Sequence, residues 1–183
     1  AIPSLIADWN LATEQAGLLA SALFVGMLAG AWFWGAFSDY RGRRFAFLAT
    51  IGIDSIFGLF SALAPNFGVL LVLRFLTGFG VGGSLPVDYA IFSEFLPTRQ
   101  RGRYLVYLES FWALGTIVAA TLAWVIIPQF PEMGWRFLLA ASAVPGLIVF
   151  WLRRTIPESP RYLMLEGREA EARAVLQRIA HEN

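Results

Sequence analysis

Three ionisable residues lie inside long apolar stretches of the chain, where a charged side chain needs a specific reason. Arg74 follows FGVLLVL, Asp54 divides ATIGIDSIFGLF, and Glu109 lies in YLVYLESFWALGT. If these stretches cross a membrane, each charge costs about 2.5–3.5 kcal/mol at bilayer depth, even on the scale derived from insertion experiments. Such residues are therefore candidates for proton transfer, ligand binding or charge pairing. For Asp54 a structural hydrogen bond to Ser55, Ser61 or a neighbouring helix is favoured.

Glu109 has the most informative surroundings of the three. Glu109, Trp112 and Thr116 are spaced i, i+3 and i+7, so a helix would place them on one face. The carboxylate can bind a cation or carry a proton, and the indole ring offers a flat surface to an aromatic or cationic ligand. This face is the predicted substrate-binding site. The alternative is that Glu109 pairs with a nearby arginine such as Arg103.

The segment GAFSDYRGRR, residues 35–44, concentrates charge after an uncharged stretch. One interpretation is a tight turn made basic by membrane topology. Membrane topology does not explain the presence of Asp39 in this turn, because acidic residues contribute little to the orientation of a membrane protein. Gly35 and Gly42 bracket the segment, as a close helix approach and a sharp corner would require.

Composition indicates the elements that carry these residues. The chain is 57% hydrophobic and 15% charged, against about 25% charged residues in soluble domains. Since about 20 apolar residues cross a bilayer as a helix, we predict an all-α membrane protein. The predicted bundle covers residues 1–153, and residues 154–183 form a cytoplasmic segment with an amphipathic helix after Gly167. The predicted spans are about 17–37, 44–63, 67–92, 104–127 and 135–153.

Arginine placement predicts which side of the membrane each connection faces. Apart from Arg74 and Arg136, the 14 basic residues, all arginine, lie in the connections near 41–44 and 99–103 and in the tail from 153 onward. By the positive-inside rule these connections and the tail are cytoplasmic. The predicted location is the plasma (inner) membrane.

Several function classes are disfavoured by what the chain contains. A net charge of +1 gives no reason to expect a nucleic-acid partner. With no cysteine and only His181, a metal cluster is not predicted. GFGVGG lies inside an apolar span rather than after a strand, so its glycines fit packing rather than phosphate binding. Neither an enzyme nor a cofactor is predicted.

Small residues recur at intervals of four, which permits close contact between helices in lipid. We expect three such faces, formed by Ala22, Gly26 and Gly30, by Gly78 and Gly82, and by Gly115, Ala119 and Ala123.

Four motifs in a fixed order resemble the signatures of the major facilitator superfamily and of its sugar-porter branch. These motifs are GAFSDYRGRR, RFLTGFGVGG, SEFLPTRQRGR and IPESPRYL. Tyr40 departs from the loop signature, which usually has Arg or Lys there. A finer resemblance runs through FSEFLPTRQRGRYLVYLESFWALGT, GWRFLLA and PESPRYL to the synaptic vesicle glycoproteins and to bacterial organic-ion and nicotinate permeases.

The resemblance implies an architecture and an activity. The five spans would be helices two to six of the N-terminal six-helix bundle of a twelve-helix fold. The first helix would remain only as AIPSLIADW, and the C-terminal bundle would be missing. The implied activity is secondary transport of a small organic solute, an organic ion or an aromatic acid, by alternating access and coupled to protons. The alternatives are a non-transporting binding or sensor protein on the same scaffold, and a sugar porter or uniporter.

The resemblance also assigns roles to individual residues. Arg74 would pair with a first-helix acid and, with Glu109, take part in proton coupling. Glu109 stands where sugar-porter relatives carry a glutamine that faces the sugar. A cytoplasmic gate of charge pairs would hold the outward-open state, and its predicted members are Asp39, Arg43, Glu94, Arg101, Glu158 and Arg161.

Overall fold

The protein was analysed as a computed structural model that describes residues 2–96, 100–152 and 157–182. Within these ranges, nothing is described of the side chains of Ile2, Ala7, Glu94, Phe95, Arg101 and residues 178–182. The described chain forms α-helices, as the composition predicts. They are α1 (Ile2–Trp9), α2 (Thr13–Arg41), α3 (Arg43–Ala62), α4 (Phe67–Phe95), α5 (Arg101–Gln129), α6 (Gly134–Leu152), α7 (Pro160–Leu165) and α8 (Glu169–Glu182).

Five of these helices are long and apolar enough to cross a membrane. They are α2 to α6, and the shortest of them, α6, has 19 residues. At 1.5 Å per residue that helix is about 28 Å long, close to the hydrocarbon thickness of a bilayer. Each predicted span overlaps one of these helices, and α2, α4 and α5 continue for a few residues into the polar connections. The chain is therefore a multi-pass membrane protein.

Helices α2 and α4 pack through glycines on both of their facing surfaces. The facing glycines are Gly26 and Gly30 of α2 and Gly78 and Gly82 of α4. A Cβ atom at any of them would collide with the main chain of the other helix, so the two backbones are in direct contact. We call this contact the glycine seam; it pairs Gly26 with Phe75, Gly30 with Phe79, Gly78 with Leu23 and Gly82 with Met27. The predicted small-residue faces at 26/30 and 78/82 are thus each other's partners.

Helix α3 lies against α4 and α6. A Cβ atom at Gly80 would come within 2.6 Å of the Asp54 nitrogen and 2.8 Å of the Thr50 oxygen, so α3 also approaches the α4 backbone closely. Trp34 of α2 packs over Gly83 beside Thr50. Around this contact lies a buried core of Trp34, Ala46, Phe47 and Val87.

Two expectations about close packing are not met among the described residues. The face of α5 that carries Gly115 is exposed, and a Cβ atom there would meet nothing within 4 Å. Small-residue spacing permits a close contact but does not supply the partner, and among the described residues none reaches this face. In the described ranges, a Cβ atom at Gly35 likewise meets nothing within 4 Å. The corner itself needs Gly42, whose φ of 94° lies in the region that L side chains rarely adopt.

A cluster of aromatic and charged residues joins α1, α3 and α6. The indole nitrogen of the buried Trp135 donates a 3.0 Å hydrogen bond to Asp8 of α1. Arg136 donates to the carbonyl of Ala62 at the end of α3, at 2.9 Å, and its guanidinium lies 4.4 Å from the Trp135 ring centroid. The hydrogen bond satisfies a carbonyl that the helix end leaves unpaired. We call this end of the bundle the opposite end, because the other end carries the arginine-rich connections.

The other end, which we call the arginine-rich end, carries the α2–α3 corner together with α7 and α8. Ser159 accepts a hydrogen bond from the Tyr162 nitrogen at the start of α7. Helix α8 is the amphipathic helix predicted after Gly167, with Ala172 fully buried. Two hydrogen bonds from Arg168 to the Glu171 carboxylate, across the start of α8, lower the pKa of that carboxylate and raise the pKa of the guanidinium.

Candidate functional site

A groove opens between α4 and α5. It encloses a cavity of about 520 Å³. Its walls are mainly aromatic and aliphatic, with one carboxylate contributed by each helix. The lining residues are Leu85, Asp88 and Tyr89 of α4 and Leu108, Glu109, Phe111 and Trp112 of α5.

Two of the three predicted substrate-binding residues line this groove. Glu109 and Trp112 lie one helical turn apart on its α5 wall, and Trp112 is 75% exposed. Thr116 lies on the same face one turn further along, and its hydroxyl donates to the Trp112 carbonyl at 3.0 Å. The predicted face thus forms part of the α5 wall of the groove, and its role in substrate binding stays a prediction.

The alternative pairing of Glu109 with Arg103 is not found in the structure. Arg103 donates from Nε to the Tyr107 hydroxyl at 2.9 Å, and its guanidinium lies 5.5 Å from the Tyr107 ring centroid. Among the described residues, Glu109 forms no ion pair. Its carboxylate is exposed to the groove.

The α4 wall contains site residues that sequence reasoning did not assign. Asp88 and Tyr89 are not among the residues that the sequence analysis singles out. Leu85, Asp88 and Tyr89 are spaced i, i+3 and i+4, so they share one face of α4. The sequence alone shows that spacing, but only the fold shows that this face of α4 lies across the groove from Glu109.

Arg74, the predicted coupling residue, is partly buried in α4. Its Nε atom is buried and has no hydrogen-bond partner among the described residues. The opposite charge that acts on it is Asp54 of α3. In the described part of α1 the acid is Asp8, and its carboxylate accepts the hydrogen bond from Trp135.

At the arginine-rich end, Asp39 and Arg43 form an ion pair of 2.8 Å across the α2–α3 corner. Arg43 also donates to the buried Ser38 hydroxyl at 3.0 Å. The two charged residues share a cavity of about 300 Å³ with Arg161 and Tyr162 of α7. The structure thus brings together three of the predicted gate residues.

Glu158 contacts the same corner from more than a hundred residues away in the chain. Its Oε1 atom accepts hydrogen bonds from the main-chain nitrogens of Arg44 and Ser159, both at 3.0 Å. Gly42 precedes α3 and has no side chain that could cap the helix, so Glu158 supplies the acceptor and a negative charge at its N-terminus. Tyr162 adds a hydrogen bond to the Tyr40 carbonyl.

Two predicted gate residues cannot be placed, because the side chains of Glu94 and Arg101 lie outside the described residues.

Comparison with known proteins gives consistent matches along the chain. A family model described as "Sugar (and other) transporter" matches residues 5–183. Organic cation/carnitine transporter 7 of Arabidopsis thaliana is 44% identical over 181 residues, which are 99% of this chain and 35% of that protein. Synaptic vesicle 2-related protein of Xenopus laevis is 41% identical over 185 residues, which are 99% of this chain and 32% of that protein.

Solved structures match the fold of nearly the whole chain. The proton:xylose symporter XylE, of the major facilitator superfamily, superimposes with a TM-score of 0.85 at 25% identity, over 97% of this chain and 44% of that one. The partially occluded inward-open form of the E. coli xylose transporter matches with the same TM-score at 24% identity, over 98% of this chain and 48% of that one. The chain thus spans about a third of the length of the curated relatives it matches and under half of these solved chains.

Proposed function

This chain belongs to the sugar (and other) transporter family of the major facilitator superfamily, and on that premise we propose that it acts as the N-terminal half of a secondary transporter. It forms one bundle of the alternating-access machine and contributes one wall of the central substrate path. The transported solute is a small organic cation, and its movement is coupled to protons.

The groove between α4 and α5 is the observation that carries the substrate class. An exposed carboxylate, Glu109, and the exposed indole of Trp112 line the same space, together with further aromatic side chains. A carboxylate and an aromatic face together attract a cation, whereas a carboxylate repels an aromatic acid. The name of the Arabidopsis relative, which mentions organic cations and carnitine, supports the same class.

The test uses the full-length protein in liposomes, with three solutes offered at equal concentration: tetraethylammonium, nicotinate and xylose. We expect tetraethylammonium to be taken up and to move protons, while the other two give at least tenfold less signal. Uptake of xylose alone would favour a sugar porter. Binding of a solute without any flux would favour the non-transporting alternative.

The same proposal assigns a side and a role to the arginine-rich end. It faces the cytoplasm, and the ion pair of Asp39 with Arg43, together with the Glu158 cap, holds the α2–α3 corner against α7. Because the Asp39 side chain is 62% exposed, its ion pair contributes only about 0–1 kcal/mol. An interaction that weak can break and re-form in each transport cycle.

Replacing Asp39 with asparagine is therefore expected to slow transport about fivefold while protein abundance stays within twofold of wild type. An exposed ion pair contributes at most about 1 kcal/mol. At 25 °C a change of about 1 kcal/mol in free energy corresponds to about a fivefold change in rate. Uptake into liposomes, normalised to the amount of reconstituted protein, measures it. Glu169→Gln is the matched control, since it removes an exposed ion pair with Arg173 in α8. Equal loss of abundance and transport would make the segment a structural turn.

A further inference from the structure

A cavity at the arginine-rich end shares no lining residue with the groove between α4 and α5. It has a volume of about 410 Å³ and lies between the α2–α3 corner and the helices α7 and α8. Its charged lining residues are three arginines and two glutamates: Arg41, Arg44, Glu158, Arg168 and Glu171. We call this space the arginine cavity. It is distinct from the smaller cavity that contains Asp39 and Arg43, although Tyr162 lines both.

Both glutamates of the arginine cavity are already bound to other groups of the protein. Glu158 accepts hydrogen bonds through Oε1 from the main-chain nitrogens of Arg44 and Ser159. Glu171 accepts two hydrogen bonds from Arg168, one at each carboxylate oxygen, at 2.8 and 2.6 Å. These two bonds lower the pKa of the Glu171 carboxylate, so it stays ionised and paired with Arg168.

Among the lining residues of the arginine cavity, positive charge exceeds negative charge once these contacts are counted. Glu171 balances Arg168, which leaves the Glu158 carboxylate against the two guanidinium groups of Arg41 and Arg44. Within the described ranges, Arg41 forms no ion pair. The first turn of α3 contains no acidic residue, and the helix N-terminus itself adds a partial positive charge. The cavity is therefore suited to an anion.

The side chains that line the cavity favour a phosphate group among anions. A guanidinium group presents its N–H donors in a planar fork that matches the oxygen atoms of phosphate. Arg168 uses Nε and Nη2 to bind Glu171, and its Nη1 group forms no hydrogen bond among the described residues. The cavity volume lies within the range of roughly 300–1,000 Å³ that small-molecule sites occupy. Because Leu163 and Val175 give the cavity an apolar part, an organic group attached to the phosphate fits beside it.

We propose that the arginine cavity binds the phosphate group of a phosphate monoester, and that Arg41 and Arg44 are its main contacts. The cavity lies at the end of two membrane helices, since α2 ends at Arg41 and α3 begins at Arg43. A soluble phosphate ester and the headgroup of an anionic lipid both reach that level, and both present the same chemistry. The bound phosphate bridges the α2–α3 corner and the start of α8. This site lies outside the substrate groove, so the proposal does not depend on which solute is transported.

The test is a calorimetric titration of the full-length protein in detergent at constant ionic strength, with two probes that carry a phosphate monoester. Glycerol 3-phosphate represents a soluble ester, and dioctanoyl phosphatidic acid represents a lipid headgroup. For Arg41→Gln we expect the affinity for the bound probe to fall at least about tenfold, because the variant removes a charged donor to the phosphate. Arg173→Gln is the matched control and should bind as wild type does, since it removes a positive charge of α8 that does not line the cavity.

The outcomes distinguish a phosphate site from a surface that is merely basic. Arg41-dependent binding of glycerol 3-phosphate supports the proposal with a soluble ligand, and Arg41-dependent binding of phosphatidic acid alone supports it with a lipid headgroup. Failure of both probes to bind the wild-type protein overturns the proposal, and so do affinities that Arg41→Gln and Arg173→Gln affect equally. If Arg41→Gln does not fold, Arg44→Lys decides, because it keeps the charge but loses the planar fork. Lowered affinity in that variant supports the proposal, and wild-type affinity overturns it.

Discussion

Replacing Gly30 with alanine is expected to prevent α2 and α4 from packing and to remove most of the folded protein. A Cβ atom at this position would lie 2.8 Å from the Phe79 carbonyl carbon and 2.9 Å from its Cα atom, in addition to colliding with the carbonyl oxygen. These are main-chain atoms inside a helix, so no side-chain rotation can relieve the collision. The two helices would have to separate along the whole glycine seam.

The expected cost exceeds that of ordinary overpacking, which is about 1–3 kcal/mol, because all four glycines of the seam lose contact together. Gly115→Ala is the control, since in the part of the chain that the structure describes a Cβ atom there meets nothing within 4 Å. In that helix alanine should stabilise by about 0.5–1 kcal/mol. The measurement is the apparent melting temperature of the full-length protein in detergent, followed by size-exclusion chromatography. Equal melting temperatures for the two variants would contradict the seam.

The contrast between Gly30 and Gly115 shows how far the sequence determines the packing of the helices. The spacing at Gly26 and Gly30 and the spacing at Gly78 and Gly82 correctly indicated close contact, and the structure pairs them with each other. The same spacing at Gly115 indicated a contact that is not present among the described residues. Local spacing encodes which backbones can approach closely, but the identity of the partner depends on the whole arrangement of helices.

The residues of the groove show the same difference between what helical periodicity within one segment predicts and what only the packing of the helices determines. Helical periodicity within one segment identified Glu109 and Trp112, because residues three apart share a face whatever surrounds the helix. Asp88 could not be assigned in this way, since its place in the groove depends on how α4 and α5 diverge. The contact of Glu158 with the start of α3 is likewise invisible to periodicity. A helix that begins after a glycine needs an acceptor from elsewhere, but the sequence does not say which residue supplies it.

Glu109→Gln tests the substrate site most directly, because it removes the charge while keeping nearly the same shape. The carboxylate faces the groove, and among the described residues it has no competing ion pair. Tetraethylammonium has no N–H group, so the lost interaction is the attraction between two charges, which is roughly 3 kcal/mol for unit charges about 5 Å apart at an effective dielectric constant of about 20. We therefore expect the affinity for tetraethylammonium to fall at least about tenfold. Substrate-driven proton influx should fall with it, since the cation no longer occupies the groove.

The control and the solute panel distinguish a lost binding group from a damaged protein. Glu14→Gln removes an exposed carboxylate in the first turn of α2 and should bind tetraethylammonium as wild type does. If Glu109 acts through its charge, the weak signal expected for the uncharged xylose should not fall further in Glu109→Gln, since an amide can still donate and accept hydrogen bonds. Unchanged tetraethylammonium affinity in Glu109→Gln would remove Glu109 from the site. The cation would then have to be bound by the α4 wall, where Asp88 and Tyr89 face the same cavity.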